Sequence, residues 1–287
     1  MNPLDNKVTI LVNSCDAYSD IWPLFFSAIE DYWPNHLNIV LNSETIKCED
    51  RVGVDTHLLD ISRNNDSWGF RLRETLKDIK TEYVLVLFDD FIMEDYIDED
   101  ELLRIVNAME KDSSISVVYL TKMAVSKKNE CNLFYEENKN KYVELKNNVD
   151  FRLNSAPAIW RVQELIKYTG VIENPWAWEV FGTYKTFNIQ EKFYCVGDSD
   201  IDVFKYNYNK GGAIYRGKWV GDVVLDKNEK YQLNIDFNKR GFSNPNEYEK
   251  RSFLWKIAFL KLGYKMVGLK FIYFIVSALK RKIMRVG

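Results

Sequence analysis

Residues 83–91 read YVLVLFDDF. Val84 to Phe88 form an unbroken apolar run, too short for a globular helix and lacking the alternation of a half-exposed strand, so it reads as a strand buried on both faces. Asp89 and Asp90 follow where such a strand leaves the core. Upstream, Trp68, Leu72, Leu76 and Ile79 recur at spacings of four, four and three, which predicts a helix beginning near residues 66–67 and Gly69. The same alternation runs along the chain. VTILVNSC (8–15) reads as a first strand, DIWPLFFSAIEDY (20–32) as a helix with Pro23 in its first turn, and LNIVLNSE (37–44) and VDTHLLDI (54–61) as strands two and three. A helix over 98–111 and a strand ISVVYLT (115–121) follow, then a polar excursion (126–150) expected to close in a hairpin. A helix over 160–169 stops at Gly170, and another starts at Asn174, a cap residue followed by Pro175. Alternating strands and helices predict an α/β fold with a mostly parallel sheet flanked by helices.

The composition narrows the chemistry. With 287 residues, 15% aromatic and 28% charged, the chain is long enough and apolar enough to bury a sizeable core. Only His36 and His57 are present, so a histidine-rich zinc site is not expected and a hard metal would rest on carboxylates. The four cysteines form no C-x-x-C pair, and MNPLDNKVTILV has no basic segment leading into a long apolar stretch, so a cytoplasmic location is expected. Cys15, Cys131 and Cys195 read as small buried residues.

Ligands of open α/β sheets bind beyond the carboxyl ends of the strands. Asp89 and Asp90 fall at such an end, where adjacent carboxylates repel unless a proton or cation intervenes, which suits Mg²⁺ or Mn²⁺ bridging a diphosphate. A solvated turn is the plainer alternative. The helix start at Trp68 and the cations Arg71 and Arg73 lie just upstream, and both features suit phosphate.

In order along the chain, VTILVNSCDAYSDIW (8–22), SWGFRL (67–72), the acidic strand end and NPWAWE (174–179) resemble nucleotide-sugar glycosyltransferases of the GT-A fold, particularly bacterial enzymes of surface polysaccharide (capsule or lipopolysaccharide) assembly. The resemblance covers roughly residues 8–220. It implies that the loop after the first strand, with Asp16 and Tyr18, holds the nucleotide, that Trp68, Arg71 and Asp89 face the donor, and that Asp90 and Asp89 hold the metal. Asp89-Asp90 departs from a strict D-x-D element, so only one of the two need touch the cation. GDSDIDVF (197–204) has the D-x-D spacing in Asp198, Asp200 and Asp202 but comes late in the chain and reads as a polar turn.

Glu179 falls in the second turn of the helix starting at Pro175, near its positive end, where an ionised carboxylate is favoured. It is expected to be the general base of an inverting transfer, with Trp178 as a wall for a sugar and Trp176, Val180 and Tyr184 packed on the other face. In YNKGGAIYRGKWVGD (208–222), Lys218 is the candidate partner of the leaving diphosphate. The rivals are a nucleotidyltransferase, although VNSCDAYSD has no glycine to build the usual phosphate loop, and a non-catalytic carbohydrate- or membrane-binding protein.

Residues 250–287 stand apart. They carry ten Lys and Arg and no acid, so residues 1–249 hold 29 basic against 42 acidic groups, a net −13. The longest uncharged run, FIYFIVSAL, has nine residues, far below the ~20 that span a bilayer. The tail is expected to form two helices bent near Gly263 and Gly268. It is expected to lie on the anionic inner face of the cytoplasmic membrane, where the enzyme would meet a glycan or lipid-linked acceptor; packing on the catalytic domain, 1–249, is the alternative. Basic residues set among large aliphatics exclude nucleic acid as the expected partner.

Overall fold

The computed structural model describes residues 2–48, 51–58, 67–123, 128–134, 140–198, 200–208, 211–244 and 251–284. Strands β1 (Val8–Asn13), β2 (Ile39–Asn42), β3 (Val54–His57) and β4 (Tyr83–Phe88) run parallel in the order β3-β2-β1-β4. The sheet continues through β8 (Ala158–Arg161), β5 (Ile115–Lys122), β9 (Lys192–Val196), β7 (Tyr142–Leu145) and β6 (Lys128–Phe134), making nine strands among the described residues. Seven run one way; β8 opposes β4 and β5, and β7 opposes β9 and β6. This is an α/β architecture, mostly parallel and flanked by helices.

The helices are α1 (Trp22–Tyr32), α2 (Trp68–Asp78), α3 (Glu99–Lys111), α4 (Val162–Tyr168), α5 (Pro175–Val180), α6 (Gly221–Lys230), α7 (Phe253–Val267) and α8 (Phe271–Met284). Side-chain caps start several of them: Ser67 accepts from the Phe70 N–H, Asp98 from Glu101 and, as the sequence predicts, Asn174 from Ala177. β1 and β4 are central because both faces are covered. Ile10, Val12, Leu85 and Leu87 join one core with α1 and α3, while Leu11, Val84 and Val86 join a second with Leu72, Leu76 and Trp160. A period of two therefore delivers every residue of an apolar run to one core or the other.

Several boundaries differ from the sequence reading. The predicted third strand stops at His57, and its residues 59–61 lie outside the described residues, as does residue 66 of the predicted α2 start. Residues 16–21 form a 3-10 turn, so α1 begins at Trp22 rather than residue 20. The helix predicted over 160–169 begins at Val162, because Ala158–Arg161 inserts as β8, with Val84 and Val117 both paired to Trp160. The expected hairpin exists as β6 and β7 at the sheet edge.

The tail forms the two expected helices. The bend is at Gly268, whose φ of 54° favours glycine, whereas Gly263 serves packing: a Cβ there would stand 2.6 Å from the Phe181 ring. Phe181 meets Phe259, Phe271 and Phe274 at 4.8, 5.7 and 5.0 Å between centroids. Arg281 pairs with Asp150 at 2.7 Å, and Ser277 donates to the same carboxylate. One face of the tail thus packs on the sheet domain, the arrangement that the sequence reading held as its alternative.

Candidate active site

Asn13 and Phe88 are aligned in the β1–β4 ladder, so the next residues of both strands emerge side by side at the carboxyl edge. Ser14 Oγ donates to Asp89 Oδ2, and Trp22 Nε1 donates to Ser14 Oγ at 2.7 Å and to Asp89 Oδ2 at 3.3 Å. Asp89 is 2% exposed. Burial, and then the neighbouring Asp90, push its carboxyl well above the ordinary range.

Asp90 is half-buried and faces a cavity of about 950 Å³, with burial raising its carboxyl to about 7. Its carbonyl accepts the Ala213 N–H at 2.8 Å. A Cβ on Gly212, whose φ is 102°, would lie 3.0 Å from both Asp90 O and Oδ2, so glycine is what lets this loop close on the aspartate.

Glu179 lines the same cavity from α5. Its Oε1 accepts from the Ser155 N–H at 2.7 Å and from Ser155 Oγ at 2.5 Å, leaving Oε2 without a donor among the described residues. Burial outweighs these bonds and raises its pKa. Tyr206 senses both carboxylates: burial, then Asp90 and Glu179, raise its hydroxyl pKa. Its ring stacks on Phe91 at 4.5 Å.

The other predicted residues divide. Tyr18, Trp68 and Arg71 line the cavity. Burial and the two aspartates push the Tyr18 hydroxyl up to about 12, and Trp68 stacks on Phe88 at 6.4 Å. Arg71 donates to Ser14 O at 3.1 Å and pairs with Glu44, so it also fixes the loop that carries the site. Arg73 turns away and donates to Ile166 O and Thr169 O, joining α2 to the end of α4. Asp16 does not line the cavity. Although burial works against it, bonds from Thr45, Ile46 and Ser43 hold its carboxyl down at about 2, making it the anchor of the 43–46 loop. Cys15 lines the cavity instead, half-buried rather than buried, with its thiol raised to about 11 by burial, Asp89 and Glu44. Cys195 is buried, and the Cys131 side chain lies outside the described residues.

Three expectations are corrected. Trp178 is 3% exposed and packs between Trp68 and Trp160, at 5.8 and 6.2 Å, so it is core rather than a sugar wall. Trp176, expected to pack, is 48% exposed and lines the cavity. The helix runs six residues before tightening to a 3-10 turn at Gly182, which rotates the face assignment. Lys218 likewise does not line the cavity. It pairs with Tyr215 in the hairpin β10 (Ile214–Tyr215) and β11 (Lys218–Trp219), whose turn residues Arg216 and Gly217 have φ of 52° and 82°. That turn places Arg216 at the cavity. Gly69 is explained by packing: a Cβ there would come within 2.0 Å of Gly170 O.

Among the described residues no group of three or more His, Cys, Asp or Glu gathers as a metal cage. The cavity nonetheless suits a divalent cation shared with a ligand. Asp90 receives no side-chain donor among the described residues and faces the cavity, so its carboxylate oxygens are the ones a cation would meet.

No protein-family model matches this chain, and no curated protein matches it. Solved structures do. TarS of S. aureus is 16% identical, with a TM-score of 0.46 over 92% of this chain and 50% of that one. Bifunctional IspDF of Campylobacter jejuni is 12% identical, at 0.39 over 70% of this chain and 52% of that one. A CMP:2-keto-3-deoxy-manno-octonic acid synthetase complexed with CTP is 14% identical, at 0.43 over 68% of this chain and 93% of that one. The chain therefore spans about half the length of the first two.

Residues without a sequence signal complete the site. Arg240 grips Asp20 with both ends of its guanidinium, at 2.6 and 2.8 Å, donates to Ala17 O and to Gly217 O, and lies over the Tyr18 ring at 4.9 Å. It ties the turn after β1 to the β10–β11 hairpin. Arg240→Ala will destabilise the protein by about 2–3 kcal/mol, measured as a lowered urea midpoint, and Asp20→Asn will cost less. The double variant will lose little beyond Arg240→Ala; a fully additive loss would refute the coupling.

Proposed function

We propose that this protein is a glycosyltransferase that moves a sugar from a nucleoside diphosphate donor to a hydroxyl of a glycan or lipid-linked acceptor, with inversion. The observation that carries this reading is that Asp90 and Glu179, from strand and helix ends 89 residues apart, line one cavity whose walls include Tyr18 and Arg71. In the proposed reaction Glu179 Oε2 accepts the proton of the acceptor hydroxyl as its oxygen bonds to the anomeric carbon. The bond from that carbon to the diphosphate oxygen breaks on the opposite face, and the nucleoside diphosphate leaves with the electron pair. Arg216 is suited to the charge that develops there. A divalent cation would be held by Asp90 with Asp89 behind it and would supply charge neutralisation to the diphosphate. Trp176 replaces Trp178 as the aromatic surface offered to a sugar.

Surface-polysaccharide synthesis at the cytoplasmic face of the membrane belongs to the same reading, as the setting in which such acceptors occur. Titration calorimetry with a panel of nucleoside diphosphate sugars, with Mn²⁺ and with chelator, tests it. Binding of one sugar nucleotide, strengthened at least tenfold by Mn²⁺ and followed by release of nucleoside diphosphate when acceptor is added, is the expected result. Pyrophosphate release from a nucleoside triphosphate and a sugar phosphate would favour a nucleotidyltransferase instead, and saccharide binding indifferent to nucleotide would favour a binding module.

A further inference from the structure

α7 is apolar on two opposite faces. Trp255, Ala258, Phe259 and Leu262, at spacings of three, one and three, line the catalytic cavity. On the other side Phe253, Ile257, Leu260 and Tyr264, at spacings of four, three and four, form a second stripe, with Phe253 76% exposed and Leu260 and Tyr264 also exposed. α8 repeats the pattern: Phe271, Phe274, Ser277 and Arg281 face the domain, while Ile272, Ile275, Val276 and Leu279 are exposed. Leu269, in the turn between the helices, is 89% exposed. Scattered exposed apolar residues are ordinary, but a continuous patch over two helices marks an interaction surface.

We infer that the outer face of α7 and α8 docks on an anionic membrane surface and so holds the mouth of the catalytic cavity at the bilayer, with α7 standing between lipid and active site. This rests on the transferase reading only for what the cavity does, not for the docking itself. Charge selects the occupant. Lys256, Lys261 and Lys265 flank the outer stripe of α7, Lys280 adjoins that of α8, and residues 250–287 hold no acid, in a chain otherwise net negative. A second copy of this face would set lysines against lysines, whereas anionic headgroups neutralise them while the aliphatic side chains enter the interface.

The residues 253–281 are together long and apolar enough to cross a membrane. Their contacts argue that they lie on it instead. Lys270 donates to Lys185 O and Phe187 O at 3.2 and 3.3 Å, Tyr273 OH accepts from Asn188 at 3.2 Å and Arg281 holds Asp150, so crossing would strip the helices from the domain. The cavity would at the same time lose its Trp255 and Phe259 wall. Arg251 reinforces that wall, lying 4.7 Å from the Trp176 ring and 4.9 Å from Trp255, a cation joining α5 to α7 across the cavity rim. An acceptor held in the bilayer would therefore reach Glu179 past Trp255 and Trp176.

The test is sedimentation of the full chain with vesicles of phosphatidylcholine alone or with 30% phosphatidylglycerol, without sugar or nucleotide. Binding at least tenfold stronger to the anionic vesicles, weakened by 0.5 M salt and released by alkaline carbonate, is expected. Leu260→Glu with Ile275→Glu will reduce it at least tenfold, while Val52→Glu, an exposed apolar position outside the tail, will leave it unchanged. Circular dichroism and the affinity for soluble donor serve as controls and will match the wild type. Equal binding to both vesicles, wild-type binding by the double variant, resistance to carbonate, or a concentration-dependent dimer lost in the double variant without vesicle binding would each overturn the inference. Because donor affinity is read separately, failure of docking leaves the transferase reading standing, and failure of donor binding leaves the docking surface standing.

Discussion

Asp90→Asn will raise the thermal midpoint by about 5 °C at pH 8 and lower sugar transfer by about 10²–10³-fold. The two effects share one cause. Burial takes the Asp90 carboxyl from an ordinary 3.8 to about 7, so between those values the folded chain keeps a proton that the unfolded chain has released. Where the native state binds more protons, stability falls as pH rises, and the penalty is fully present above pH 7. Asparagine keeps the shape and removes the charge, which also relieves Asp89, whose own carboxyl is raised by burial and then by Asp90. The side chain is half-buried, so water screens part of the cost and the gain is about 2 kcal/mol rather than the full shift. At pH 5 the gain will shrink, because wild-type Asp90 is then largely protonated in the fold. Scanning fluorimetry from pH 5 to 9 beside a transfer assay checks both. A variant less stable than wild type at pH 8, or one that transfers normally, would remove Asp90 from the role assigned to it.

Strain of this kind is legible in the sequence where local pattern and tertiary position coincide. YVLVLF could only be a strand covered on both faces, and two acids directly after it had to emerge at the carboxyl edge. The helix starts near Ser67 and Asp98 and the cap at Asn174 were readable for the same reason, since both signals are local. β8 was not readable. Four residues, AIWR, precede a helix without alternation, and only the gap between β4 and β5 makes them a strand. Trp176 and Trp178 exchanged roles because a six-residue helix that tightens at Gly182 does not hold a 3.6-residue period. Cys15 and Asp16 are neighbours that pattern cannot rank; bonds to Ser43, Thr45 and Ile46 turn Asp16 away. Ser155 and Arg240 act on partners 24 and 220 residues distant, and no spacing rule reaches that far.

Glu179→Gln will lower transfer by about 10²–10⁴-fold, the range of a lost general base, while leaving donor affinity within twofold. The structure makes this substitution unusually clean. The glutamine carbonyl can take the place of Oε1 and accept both Ser155 bonds, so α5 and the 155 turn stay where they are. The replaced atom, Oε2, is the one without a donor among the described residues, and it is the atom assigned to the proton. Burial raises the Glu179 pKa, and a base must be ionised to act, so wild-type transfer at saturating donor will climb as pH rises through that raised value. The residual activity of Glu179→Gln will not follow that limb. A merely structural role predicts the reverse pattern: with both Ser155 bonds kept, activity and its pH dependence would survive. Ser155→Ala separates the two further. It removes the Oγ donor that favours the ionised carboxylate, so the pH limb will move to higher pH with the maximal rate largely kept, whereas a role in folding alone would lower the thermal midpoint and leave the limb in place.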